Sequence, residues 1–231
     1  MDVARYDAVA GMYAENFDHT VTPAGAALLS LAGEVEGLSA IDLACGHGAI
    51  TRELTRRGAS PVTGVDISAE LLAVAGAAEA REPLGITYVH ADAASYRAAE
   101  WVDLVTCNFG LSDIDDLDGA LRTASSVLRP GGRFVFSILH PRFPGSGTAA
   151  PAWPREGTYY DEGWWRPDDP QSALRREVGA NHRMLSTYLT ALARHGLRVE
   201  AAEEPRPEQQ WASQTGAAAF PVYFVARCRP A

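Results

Sequence analysis

The 231-residue chain contains no lysine, so all 20 of its arginine-or-lysine positions are arginine. That absence excludes a P-loop, whose lysine reaches the terminal phosphates. It also excludes a pyridoxal phosphate Schiff base and the Tyr-x-x-x-Lys pair of short-chain dehydrogenases. Cysteine is scarce: Cys45, Cys107 and Cys228 lie far apart, with no Cys-x-x-Cys and no histidine spacing that suggests zinc. No metal site is expected. No apolar run approaches the roughly 20 residues needed to span a bilayer. The polar start, Met1-Asp-Val-Ala-Arg-Tyr-Asp, lacks the apolar core of a signal peptide. A reduced, cytoplasmic protein without a membrane partner is expected. A formal charge of −9 argues against a nucleic-acid partner, which would need a basic face. Neither internal repeats nor low-complexity tracts interrupt the chain.

What remains is ordinary for a globular protein: 47% apolar and 21% charged residues, enough for one substantial core. A single domain over 1–231 is expected. Residues 1–37 read as a helical cover. Tyr6, Val9, Ala10, Tyr13, Ala14 and Phe17 recur at three- and four-residue steps, and a second helix starts at Pro23. Strands then alternate with helices. Strands are expected at 40–44, 62–66, 86–90, 102–107 and 133–139, with helices at 49–57, 69–79 and 117–128 between them. Ser68 is the expected N-cap of the second of these helices, and Arg129-Pro-Gly-Gly reads as a turn. Strands that are apolar throughout and alternate with helices imply a parallel sheet buried on both faces. The fold class is therefore α/β: a doubly wound, mostly parallel seven-stranded sheet of Rossmann-like type with an antiparallel last strand.

Residues 141–179 break the alternation. They carry prolines at 141, 144, 151, 154, 167 and 170, and the aromatics Phe143, Trp153, Tyr159, Tyr160, Trp164 and Trp165. A loop this long in a compact domain is either disordered or functional, and so many aromatics argue against disorder. The segment reads as an insertion after strand five, serving as a lid or substrate wall. A helix at 182–195 and strands at 197–202 and 220–228 complete the chain.

Ligands of such sheets sit beyond the carboxyl ends of the strands, where strand order reverses. Those ends carry Asp42 to Gly48, Asp66, Asp92 and Asn108, with His140 at a fifth. Each has a role if the ligand is a nucleoside with an amino-acid tail. Asp66, followed by Ile67, can accept both ribose hydroxyls. Asp92 can receive an adenine amino group, with the Ala93 N–H beside it. The loop Ala44-Cys45-Gly46-His47-Gly48 can hold the amino-acid end on main-chain N–H groups at a helix start. Asp42 and the carbonyl groups of Asn108, with Phe109 next to it, can take the ammonium. A nicotinamide or flavin dinucleotide is the competing ligand. Thr51 stands where that fingerprint wants a third glycine, and the dehydrogenase lysine is absent.

The chain resembles a class I S-adenosylmethionine-dependent methyltransferase of the small-molecule type over nearly its whole length. Asp42-Leu-Ala-Cys-Gly-His-Gly is similar to the family's acid and glycine-rich loop, with Ala44 in place of the first glycine. Gly64-Val-Asp66 resembles the ribose segment, and His90-Ala-Asp92-Ala93 the adenine segment. Leu128-Arg-Pro-Gly-Gly-Arg-Phe-Val-Phe resembles the turn and fifth strand. Tyr6-Asp-Ala-Val-Ala-Gly-Met-Tyr13 resembles the N-terminal helix that closes over the cofactor. The resemblance implies S-adenosyl-L-methionine as cofactor and S-adenosyl-L-homocysteine as product. It implies in-line methyl transfer to oxygen, nitrogen or carbon of a small organic acceptor, with aromatic and natural-product-like molecules among the candidates. A protein of the same fold that binds the cofactor without transferring methyl is the alternative. If a general base is used, His140 after strand five is the first choice, with His19 and Tyr13 on the N-terminal cover second.

Overall fold

Strands covered on both faces need helical crossovers, and the computed structural model supplies them. It describes residues 4–16, 22–143, 157–167, 173–209, 212 and 219–231. Strands β1 (Ala40–Leu43), β2 (Val62–Asp66), β3 (Thr87–His90), β4 (Val102–Asn108) and β5 (Leu128–Leu139) pair in parallel. β9 (Tyr223–Pro230) lies antiparallel between β5 and β8 (Leu197–Glu203). The seven-stranded order is β3-β2-β1-β4-β5-β9-β8, so strand order reverses between β1 and β4. That reversal opens the crevice where a ligand can sit. The expected fold class and antiparallel last strand are both observed.

A 3-10 turn (Asp7–Val9) and α1 (Ala10–Asn16) precede α2 (Pro23–Ala32). Then come α3 (Ala49–Arg56), α4 (Ala69–Arg81), α5 (Gly110–Asp113) and α6 (Leu117–Val127), and, after the insertion, α8 (Leu185–Arg194). Side chains alternate across the sheet. Ile41, Leu43, Val105 and Phe136 pack with Leu121 and Ala124 of α6 on one face. Ala40, Leu104 and Val135 pack with Leu28 of α2 and Leu54 of α3 on the other. Asp42 shares the parity of Ala40, and therefore faces α3.

Caps fix where the helices begin. Thr22, Ser68 and Asp116 accept from the N–H groups of Gly25, Leu71 and Gly119 at 3.0, 3.1 and 2.8 Å. Such caps contribute about 1 kcal/mol each. β5 starts at Leu128, before the expected turn, because Val102 pairs with Leu128 ahead of a bulge and Arg129 pairs with Asp103 at 2.9 Å.

The described part of the insertion is ordered by pairing. β6 (Gly163–Trp165) and β7 (Ala180–His182) form an antiparallel hairpin, with α7 (Ala173–Val178) between them in sequence. Residue 182 was expected to begin a helix, but it lies in β7, and α8 starts only at Leu185. Pairing with β6 holds residues 180–182 extended. Among the described residues, no helix is long and apolar enough to cross a membrane.

Candidate cofactor and active site

The floor of the crevice is the loop between β1 and α3. It turns through left-handed backbone at Ala44 (φ 54°), Gly46 (57°) and Gly48 (82°). Ala44 and Phe109 (φ 62°) are the two non-glycine residues with positive φ among those described, and they end the adjacent strands β1 and β4. Left-handed alanine costs roughly 1 kcal/mol. Gly110 makes the methyl of Ala44 possible, because a Cβ at 110 would stand 2.6 Å from the Ala44 Cβ and 2.7 Å from Cys107 Sγ. Gly48 serves as N-cap of α3, with no side chain bonded to the cap. A Cβ there would strike the Tyr88 hydroxyl at 2.3 Å.

Two buried acids hold this floor. Asp66, 7% exposed, accepts from the Gly46 N–H at 2.7 Å and from the Ser68 N–H at 2.8 Å. It thereby ties the loop after β1 to the loop after β2. Burial raises its carboxyl above the usual range, although these N–H bonds pull the other way. Asp42, 1% exposed, accepts from the hydroxyls of Thr51 at 2.7 Å and Thr106 at 2.8 Å. Thr106 is its register partner on β4, and Thr51 lies on α3. Burial pushes the Asp42 carboxyl up to about 6 against the pull of both threonines. Thr51, noted in the sequence only for not being glycine, thus fixes α3 to the strand-end acid.

Above the floor lies a cavity of about 670 Å³, partly open to solvent. Tyr13, Ala44, Gly46, Asp66, Ile67, Asn108 and Phe109 line it. A smaller recess beneath the loop, about 290 Å³, adds Asp42, Cys45 and His47 to the lining. Asn108 is held by the Ser137 hydroxyl, which donates to its Oδ1 at 2.6 Å. These walls combine a carboxylate, a carboxamide, apolar side chains and a helix start. That chemistry fits a nucleoside bearing an amino-acid tail, and a Cβ on Gly46 would reach into the space bounded by Tyr13 and Leu71.

The cover comes from both ends of the fold. Tyr13 packs edge-on against Tyr6 (5.0 Å between centroids) and His47 (5.8 Å). The Tyr6 hydroxyl donates to Asp113 of α5 at 2.7 Å, and Arg175 of α7 pairs with the other oxygen of that carboxylate. Arg5 reaches the Asp113 carbonyl at 3.2 Å, pairs with Asp115 and lies over the Trp164 ring at 5.5 Å. Asp7 accepts from the Ser68 hydroxyl at 2.6 Å, so the N-cap of α4 also docks the N-terminal cover. Burial, then Asp113, raises the Tyr6 and Tyr13 phenols and keeps both protonated.

Several expected residues lie elsewhere. His140 lines none of these cavities. It is 6% exposed, its Nδ1 accepts from the Arg142 N–H at 3.0 Å, and its Nε2 bonds Glu204 at 3.1 Å. It faces β8 and β9, packing near Phe224, so its ring nitrogens are not presented to a reacting atom. The turn at Pro141 sends the ring to that side. Asp92 accepts from the Ala94 N–H at 2.8 Å, and neither it nor Ala93 borders the cavity. His19, Phe17 and Trp153 lie outside the described residues. Sequence reasoning missed Asp113 and Arg175, and Gly110 as the partner of Ala44. The sole available hint was Asp113 one turn beyond a strand end.

A doubly wound sheet with a glycine loop, a strand-two acid and an N-terminal cover defines a binder of a nucleoside-type cofactor. The methyltransferase domain family matches residues 41–136. A crystal structure of an S-adenosylmethionine-dependent methyltransferase from Mesorhizobium loti is 30% identical, covering 91% of this chain and 99% of that one, with a TM-score of 0.73. Ubiquinone biosynthesis O-methyltransferases from Cronobacter sakazakii and Stutzerimonas stutzeri are 29% and 33% identical over 60% and 48% of this chain. The chain spans 60% and 47% of those two curated relatives. It belongs to the class I S-adenosylmethionine-dependent methyltransferases, and its cofactor is S-adenosyl-L-methionine.

Proposed function

We propose that the protein transfers a methyl group to oxygen, nitrogen or carbon of a small organic acceptor, releasing S-adenosyl-L-homocysteine. The observation that carries this reading is the covered cavity. Tyr6, Tyr13 and Arg175 from the described part of the insertion lie over the strand ends, leaving a pocket of small-molecule size that is partly open to solvent. The cofactor supplies an activated sulfonium methyl when bound.

The chain's own residues then bind, align and exclude water. Asp66 accepts the ribose hydroxyls on lone pairs that the Gly46 and Ser68 N–H groups leave over. The loop 44–48 and the start of α3 receive the amino-acid carboxylate, while Asp42 and Asn108 supply negative charge and carbonyl oxygen for its ammonium. Tyr13 acts as wall and hydrogen-bond donor, since its buried phenol stays protonated at neutral pH. The described part of the insertion, residues 157–167 and 173–179, borders the acceptor side.

Incubation with S-adenosyl-L-methionine and a panel of small phenols, amines and acids, followed by mass spectrometry, tests the reading. A product heavier by one methylene, appearing with S-adenosyl-L-homocysteine, is expected. Tight cofactor binding with no methylated product across the panel favours the non-transferring alternative.

A further inference from the structure

A second cavity, about 280 Å³, adjoins the first across the Asp113–Arg175 pair, at the carboxyl ends of β4 and β5. Its polar lining is made of Arg175, Arg183, Asn181, His182, Ser112 and Tyr188, and no carboxylate borders it among the described residues. In a chain of formal charge −9, two guanidinium groups facing one recess without an acid is unusual chemistry.

The two arginines differ in how they are held. Arg183 donates to the carbonyl oxygens of Leu111, Ile114 and Asp115, each at 2.8 Å. Carbonyls fix its position, and the nearby Asp115 carboxylate feels its charge without bonding to it. The Asp115 carboxylate is itself bonded to Arg5 and Asn181. Arg175 spends one nitrogen, Nη1, on Asp113 and on the Gly179 carbonyl at 2.9 Å. Its Nε and Nη2 make no hydrogen bond among the described residues. Burial alone would lower this guanidinium's pKa, and Asp113 and Tyr6 more than offset that, so the group stays charged. A fixed, charged fork with two free donors matches a planar oxyanion.

The geometry points to this recess as the site for a carboxylate carried by the acceptor, which places the rest of the acceptor across the Asp113–Arg175 partition in the main cavity. This deepens the methyl-transfer reading, on which it rests, by assigning the acceptor to the carboxylic acids. Asp113 is then a positioning residue: it sets the Arg175 fork through one oxygen and Tyr6 through the other.

Calorimetry on the full chain saturated with S-adenosyl-L-homocysteine tests it, using benzoate and its neutral isostere benzamide as probes. Benzoate is expected to bind at least tenfold more tightly than benzamide. Arg175→Gln and Arg183→Met should each remove most of that preference, and Arg175→Lys should restore it. Equal binding of the two probes to the wild-type protein, or a preference unchanged in both arginine variants, overturns the assignment even if one variant fails to fold. Homocysteine-cofactor binding without benzoate preference leaves methyl transfer standing and removes the carboxylate site. If that cofactor does not bind, the methyl-transfer reading falls, and the probe comparison on the protein alone decides the anion site separately.

Discussion

Asp66 is held by two main-chain N–H groups, from Gly46 and Ser68. Asp113 is held by side chains, Tyr6 on one oxygen and Arg175 on the other. The first arrangement belongs to the floor of the cavity and the second to its cover. Floor geometry follows from where strands end and how a short loop must turn, so it is set before any distant contact forms. Cover geometry exists only once three separate segments, 4–16, 110–115 and 173–183, have come together. Main-chain bonds within the floor make it rigid, whereas the cover depends on ion pairs and hydroxyls that exchange readily with water.

Five substitutions sharpen this contrast. Gly110→Ala should be the most damaging, because its Cβ would overlap both Ala44 and Cys107 Sγ. A loss of about 3 kcal/mol in urea unfolding is expected, at the upper end for overpacking. Asp42→Asn tests the buried acid through pH. The folded-state carboxyl is raised to about 6, above its unfolded value of roughly 3.9. Its ionisation therefore penalises folding above about pH 6, and the penalty fades as pH falls towards the unfolded value. The wild-type protein should gain on the order of 2–3 kcal/mol relative to Asp42→Asn between pH 7 and pH 4. Parallel stability curves would show that the folded-state carboxyl of Asp42 is not raised above its unfolded value.

Asp66→Ala should weaken cofactor binding tenfold or more, about 1.4 kcal/mol, by calorimetry. Unchanged affinity would sink the ribose assignment. Tyr6→Phe removes one hydroxyl from the cover and should cost roughly 0.5–0.9 kcal/mol, seen as a few-fold rise in the cofactor dissociation constant. An effect as large as that of Asp66→Ala would erase the distinction between floor and cover. His140→Ala should leave turnover within about threefold, under roughly 0.7 kcal/mol in barrier, since its ring nitrogens serve Arg142 and Glu204. A hundredfold loss would return it to the site.

The same contrast explains what could be read from the sequence. The succession of strands and helices, the glycine loop, the place of Asp66 at a strand end and the Ser68 cap were legible because each rests on local periodicity or a short spacing. Tyr13 was legible from helical spacing on the cover. His140 was misplaced because a strand-end position fixes a Cα and not the direction of a ring, and the turn at Pro141 sends it towards β8. Thr51 was read only as a missing glycine, when its hydroxyl holds Asp42. Asp113 and Arg175 could not be paired, since nothing local links a short helix after β4 to an arginine in an irregular insertion. The start of α8 was set too early because Asn181-His182-Arg183 suits a helix equally well until β6 is known to pair with it.

The methyl of Ala44 and the hydrogen of Gly110 occupy one shared space between two strand ends. The two positions therefore behave as a single steric unit, with room for one side-chain carbon between them. Replacing Ala44 by glycine would relax the backbone and remove one of the two overlaps that a Cβ at 110 meets, while the one with Cys107 Sγ, at 2.7 Å, would stay. Position 110 is therefore held to glycine by two neighbours at once, and a larger residue there needs both of them to give way.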